Sequence, residues 1–159
     1  MFYSFHYEAD VWRVAKVRKI GMIEENAPAT DNDWETVTKG GDKAIQKWID
    51  GQMYGRSCAI VLIGAHTAGR KWINYEIRKA WDDEKGVLGV YIHNIEDRNG
   101  DQCTKGKNPF EDFCFGEKNL SSIVKAYNPP QTTSVGVYNY IKENLAAWIE
   151  KAIEIRKDN

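Results

Sequence analysis

The six-residue run Cys58-Ala59-Ile60-Val61-Leu62-Ile63 is apolar at every position. A strand with one wet face alternates apolar and polar residues, so a strand that is apolar throughout is covered on both faces, as in a parallel sheet between helices. Gly86-Val87-Leu88-Gly89-Val90-Tyr91-Ile92 repeats the pattern. The segment between them, from about Gly69 to Lys85, carries Ile73, Ile77, Ala80 and Trp81 at helical spacing. Strand, helix and strand in that order require a parallel sheet with right-handed crossovers. The expected class is α/β, a flavodoxin-like three-layer fold: a central parallel sheet with helices on both faces.

The remaining elements follow by the same reading. Phe2 to Phe5 is a short aromatic strand, followed by a helix from Glu8 to about Ile20 with Val11, Trp12, Ala15 and Lys19 on one stripe. From Gly21 to Gly41 the periodicity fails; Pro28, Asp31, Asn32 and Gly40-Gly41 mark a long loop, with a weak strand near Met22-Ile23. A helix over Asp42 to Asp50 has Ala44, Ile45, Trp48 and Ile49 on one side, with Asp42 as its N-cap and Gly51 as its stop. A polar loop is expected from His93 to about Asn119. Residues 121–135 are ambiguous, with Ile123-Val124 a candidate edge strand. Tyr138, Ile141, Leu145, Trp148, Ile149 and Ala152 form the stripe of a closing helix. There is no repeat, low-complexity tract or linker, so residues 1–159 are expected to form one domain.

Charge and cysteine usage exclude several classes. The 22 Lys and Arg nearly cancel the 23 Asp and Glu, leaving no broad basic field for a nucleic-acid backbone. Cys58, Cys103 and Cys114 are odd in number and lack Cys-x-x-Cys spacing, which implies neither a disulfide framework nor a zinc site and fits a reducing compartment. The N-terminal Met1-Phe2-Tyr3-Ser4-Phe5 has no basic segment before it and soon turns polar, unlike a signal peptide. The run at 58–63 is far too short to span a bilayer. A cytoplasmic protein, with no membrane and no nucleic-acid partner, is expected.

In open α/β sheets ligands lie beyond the carboxyl ends of the strands. Three loops qualify here: Phe5-His6-Tyr7, Gly64 to Arg70, and His93-Asn94. Gly64, Gly69 and the Thr67 hydroxyl at a helix start would suit a phosphate on backbone N–H groups, or a plain Thr-capped turn. Glu76 falls about 60° to one side of the apolar stripe, beside Trp72 one turn earlier. It is either a functional carboxylate or the partner of Arg78, Lys79 or Arg13 in a salt bridge. His6 is a general base or a structural residue. Asp31-Asn32-Asp33 and Asp97 to Asp101 lack the Gly and Glu of a calcium loop. No dinucleotide fingerprint, P-loop or His-Glu-x-x-His occurs, and the acids of a phospho-receiver are missing after the first and central strands.

Taken in order, Ser4-Phe5-His6-Tyr7, Val17-Arg18, Trp34-Glu35, Val61-Leu62-Ile63-Gly64, Trp72-x-x-Tyr75-Glu76-Ile77, Gly89-Val90-Tyr91-Ile92-His93 and Lys105 to Phe110 resemble the TIR-like proteins of Thoeris anti-phage systems. The resemblance runs from residue 2 to about 115, and Trp72-x-x-x-Glu76 looks like the Trp-x-x-x-Glu pattern of enzymatic TIR domains. It implies a flavodoxin-like TIR fold and cleavage of NAD+ at the nicotinamide–ribose bond. NAD+ is then substrate, with no cofactor and no metal, and the product is a cyclic or conjugated ADP-ribose that activates a partner effector. The catalytic glutamate of the family falls on Glu76. The loop over the pocket falls within Glu24 to Lys39, and Phe5 and His6 would face the nicotinamide. The absence of Arg from Ser4-Phe5-His6, unlike some animal TIR enzymes, leaves base recognition open.

Nicotinamide leaves as a neutral molecule, so one carboxylate suffices: it holds the ribose hydroxyls and faces the oxocarbenium-like sugar. Trp72, Phe5 and Trp34 would stack on the flat bases, or pack in the core. Ser4, Phe5, His6, Trp34, Gly64, Thr67 and Trp72 are the expected substrate-binding residues. Two other readings are a non-catalytic TIR scaffold acting through self-association, and a nucleoside deoxyribosyltransferase-like enzyme. The enzymatic reading requires Glu76 to be aimed into a cavity above the sheet where the dinucleotide's sugar can lie. It fails if the side chain points to open solvent or is tied up in an ion pair with no hollow beside it.

Overall fold

The computed structural model describes residues 1–21 and 37–159. Four strands, β1 (Phe2–Ser4), β2 (Cys58–Ile63), β3 (Gly86–Tyr91) and β6 (Ala126–Tyr127), form a parallel sheet in the order β1-β2-β3-β6. Its register pairs Ser4 with Val61, and Val61 in turn with Gly89. Every residue of β2 and β3 is buried, as the unbroken apolar runs require. The short β4 (Cys114–Phe115) and β5 (Lys118–Asn119) form a separate antiparallel pair.

Helices cover both faces. Alternate strand residues Phe2, Ala59, Val61, Ile63, Val87 and Tyr91 pack with α2 (Asp42–Met53) and α3 (Lys71–Asp82). The residues between them, Cys58, Ile60, Leu62, Leu88, Val90 and Ile92, pack with α1 (Tyr7–Gly21) and α4 (Ser134–Lys157). The period of two along each strand thus sorts one chain into two cores on either side of one sheet. The architecture is the expected three-layer α/β fold.

The buried face of α1 differs from the expected stripe. Asp10, Arg13, Val14 and Val17 point inward, while Trp12 is 54% exposed under the Arg98 guanidinium. The reason is a buried ion pair. Arg13 contacts Asp10 at 3.3 Å and donates from Nε and Nη2 to the Ile95 and Asp101 carbonyls, each at 2.8 Å. Buried charge is tolerated when paired and hydrogen-bonded, and a count of apolar residues misses it.

Two further boundaries move. Gly51 does not end α2, which runs on to Met53; burying that side chain completely outweighs a glycine penalty of about 1 kcal/mol. Asp42 is the first helical residue and not the cap, which is Gly41 at φ 84°; the Asp42 carboxylate pairs with Lys71. The last strand is not Ile123-Val124. The Asn119 side chain accepts the Ser121 N–H and holds Leu120–Ser122 in a 3-10 turn, so the chain becomes extended only at Ala126. In α4, Val137 takes the first inward position and Tyr138 is half-buried. The weak strand near Met22-Ile23 lies outside the described residues. Among the described residues, no helix is long and apolar enough to cross a membrane.

Candidate functional site

After β1 the chain turns to α1 on one face; after β2 it turns to α3 on the other. The gap between the ends of these neighbouring strands is a topological switch point, where open α/β sheets open a crevice. Ser4 is the last residue of β1 and, like Phe2, faces the α3 side. Glu76 lies on the second turn of α3 beside the inward row Ile73, Ile77, Ala80 and Trp81. The two meet: Ser4 Oγ donates a hydrogen bond to Glu76 Oε2.

Glu76 is 7% exposed and Ser4 1%. Burial penalises the charged carboxylate and pushes its pKa up to about 8, while the Ser4 hydrogen bond pulls the other way. None of the three cations that sequence offers as partners pairs with it. Lys79 contacts Asp83 at 2.9 Å, Arg13 contacts Asp10, and the Arg78 guanidinium lies over the Phe113 ring. Among the described residues Glu76 is thus a buried carboxyl with one neutral hydrogen-bond partner and no counter-ion. A carboxyl so placed is costly to bury and has no structural charge to balance, which marks functional sites more often than scaffolding.

The other expected site residues scatter around this pair. Trp72 is half-buried one turn before Glu76, edge-on to Tyr75 at 5.7 Å and under the Lys71 ammonium. His6, two residues past Ser4, is half-buried; burial first, then Arg70, lower its pKa and favour the neutral ring. Phe5 is not beside Glu76: strand alternation sends it to the α1 face, where Arg18 covers its ring at 5.5 Å. Thr67 is completely buried and its hydroxyl closes the turn, accepting the Gly64 N–H at 2.8 Å. It presents nothing to a ligand. Gly64 is buried against the Asp10 carboxylate, and any Cβ there would overlap it. Trp34 and most of the expected covering loop, Glu24 to Lys39, lie outside the described residues.

Beyond the end of β2 the surface opens into a polar pocket of about 500 Å³ between the 65–70 turn and the segment carrying Lys107 and Asp112. Glu76 does not line it. Arg70 ends one of the three ligand loops marked out by the sequence and Lys107 lies in the Lys105–Phe110 segment, but neither side chain was named there as a ligand contact. The available signal was a cation immediately before the helix bearing Glu76. Among the described residues, no group of three His, Cys, Asp or Glu is placed to hold a metal.

Comparison with known proteins places the chain in a family. The family model for the Thoeris protein ThsB, TIR-like domain, matches residues 2–97, from β1 through α3 and β3. A protein of Bacillus cereus (strain MSX-D12), provisionally named cyclic ADP-D-ribose synthase ThsB1, is 34% identical over 116 residues, 70% of this chain and 60% of that protein. The chain thus aligns with only about three fifths of that relative's length. The match takes in well over half of the chain, including both Ser4 and Glu76, and by the extent of that match the chain belongs to the TIR-like domain family of the Thoeris protein ThsB.

Proposed function

We propose that this chain cleaves NAD+ at the nicotinamide–ribose bond and transfers the ADP-ribosyl group to give a cyclic or conjugated signal that activates a partner effector in anti-phage defence. The observation that supports it most is the buried Glu76 carboxyl at the switch point, held by Ser4 and without a counter-ion among the described residues. A carboxylate in a site of low dielectric acts strongly on a nearby positive charge. Bound NAD+ brings one on its nicotinamide ring, and bond breaking moves it onto the ribose. That charge stabilises the ionised form of Glu76 and offsets the desolvation that raises its pKa in the free protein. Nicotinamide departs neutral, so no general acid is needed. The Ser4 hydroxyl fixes one carboxylate oxygen and leaves the other for the ribose hydroxyls.

The acceptor decides the product. Water gives ADP-ribose, a hydroxyl of the same molecule gives a cyclic form, and a second molecule gives a conjugate. The name of the Bacillus cereus relative favours cyclisation. NAD+ is the substrate, and no metal enters the chemistry. Three free cysteines are in keeping with a reducing cytoplasm. The test is incubation of the purified chain with NAD+, following nicotinamide by chromatography and the second product by mass. Turnover that depends on Glu76 supports the reading, and turnover indifferent to it removes the reading.

A further inference from the structure

We infer that the polar pocket beyond β2 is a pyrophosphate subsite, held by Arg70 and Lys107, that anchors the dinucleotide while Glu76 engages its ribose. This assignment rests on the NAD+ reading for the identity of the ligand, but the pocket's anion chemistry stands on its own features. It opens between two segments brought together from distant parts of the chain. One is the turn 65–70 leading into α3. The other carries Lys107, and Gly106 is pressed so closely onto the Gly64 and Ala65 carbonyls that a Cβ there would overlap them. That contact fixes where Lys107 can stand.

The lining is suited to a doubly charged anion. Arg70 contributes a planar fork of donors, the geometry that best matches phosphate oxygens. Its Nε is steadied by the His66 carbonyl at 3.2 Å. Lys107 is held by Asp112 at 2.7 Å, which uses one ammonium donor and leaves two. With Arg70 and Lys107 positive and Asp112 negative, the pocket keeps a net positive charge. Arg70 is also the N-cap of the 12-residue α3 and gives it no side-chain cap, so the partial positive charge of that terminus adds to the two cations. Lys71 does not compete, being paired with Asp42.

Arg70 stands six positions before Glu76, ~9 Å along the α3 axis and about 240° around it, so a ribose and its 5′-diphosphate would have to run across the first turn of the helix to reach from one to the other. The sequence offered Gly64, Gly69 and Thr67 either as a phosphate cradle or as a plain capped turn; Gly64 and Thr67 take the second role, while Gly69 lines the pocket beside Arg70. Gly64 and Thr67 are buried inside the turn, and the exposed cations beside it are the groups within a ligand's reach.

Calorimetry with inorganic pyrophosphate at low salt reads the site directly, with orthophosphate as the control for simple anion attraction. Arg70 and Lys107 are exposed, so Arg70→Gln, Lys107→Gln and the double variant should fold, which circular dichroism checks. Pyrophosphate should bind the wild type and Glu76→Gln alike, more tightly than orthophosphate, and at least tenfold more weakly in the double variant. In turnover, the preference for NAD+ over nicotinamide riboside, which lacks phosphates, should fall at least tenfold in the double variant. Pyrophosphate affinity unchanged by the double substitution overturns the assignment, as does equal loss on both substrates. A wild type that binds pyrophosphate through these two cations yet cleaves no NAD+ supports the subsite and removes only the catalytic reading.

Discussion

Ser4 on β1 and Glu76 on α3, 72 residues apart in sequence, are joined by a buried hydrogen bond at the carboxyl end of the sheet. The strand ends there and presents a hydroxyl; the helix passes there and presents a carboxyl. Of the contacts among the described residues, this one favours the ionised carboxylate against desolvation.

Ser4→Ala should therefore raise the Glu76 pKa further and shift the pH profile of nicotinamide release to more alkaline pH. A hydrogen bond to a charged group is worth about 1.5–3 kcal/mol, so kcat/KM at pH 7 should fall roughly 10- to 100-fold. Ser4→Thr, which keeps the hydroxyl, should recover most of it. A fall in rate with an unmoved profile would assign Ser4 a packing role only.

The same pKa has a consequence for stability. Folding raises the Glu76 pKa from 4.5 to about 8, so between those values the native state holds a proton that the unfolded chain has lost. Native stability contributed by this group is full below pH 4.5 and is lost as pH rises through 8. The ceiling is roughly 5 kcal/mol. Glu76→Gln cannot ionise, so its melting temperature relative to wild type should climb by several degrees between pH 5 and pH 9. A difference that stays flat with pH would show the carboxyl to be less buried than the structure has it.

The inward face of α1 is open to a simple comparison. Val17 is fully buried and Trp12 is 54% exposed. Val17→Ala should cost about 2 kcal/mol, and Trp12→Ala about 0.5 kcal/mol or less despite the larger deletion, both read from urea midpoints. The reverse order would restore the stripe that sequence periodicity suggests.

That helix shows where sequence reading succeeds and where it stops. β2 and β3 were legible because six consecutive apolar residues have few alternatives to a doubly covered strand. The place of Glu76 beside the α3 stripe was legible from helical period alone. The α1 face was not, because Arg13 is buried by carbonyls at Ile95 and Asp101, more than 80 residues away, and no local pattern encodes those. Ser4 as the partner of Glu76 is equally non-local: it needs the register that sets Ser4 beside Val61 and the crossover that brings α3 over the same face. Gly64, Gly69 and Thr67 suited a phosphate cradle and a plain Thr-capped turn equally well in sequence, and the turn closes on itself through the Thr67 hydroxyl. Arg70 and Lys107 each fell in a segment the sequence marked out, but nothing local pairs them, because one pocket draws them from positions 37 residues apart.

The most direct measurement is nicotinamide release from NAD+ by wild type and by Glu76→Gln, with circular dichroism to confirm an unchanged fold and mass spectrometry of the second product. A catalytic Glu76 predicts release by the wild type, with a product of ADP-ribosyl composition, and at least a hundredfold slower release by the variant. Equal release by the two proteins would contradict it.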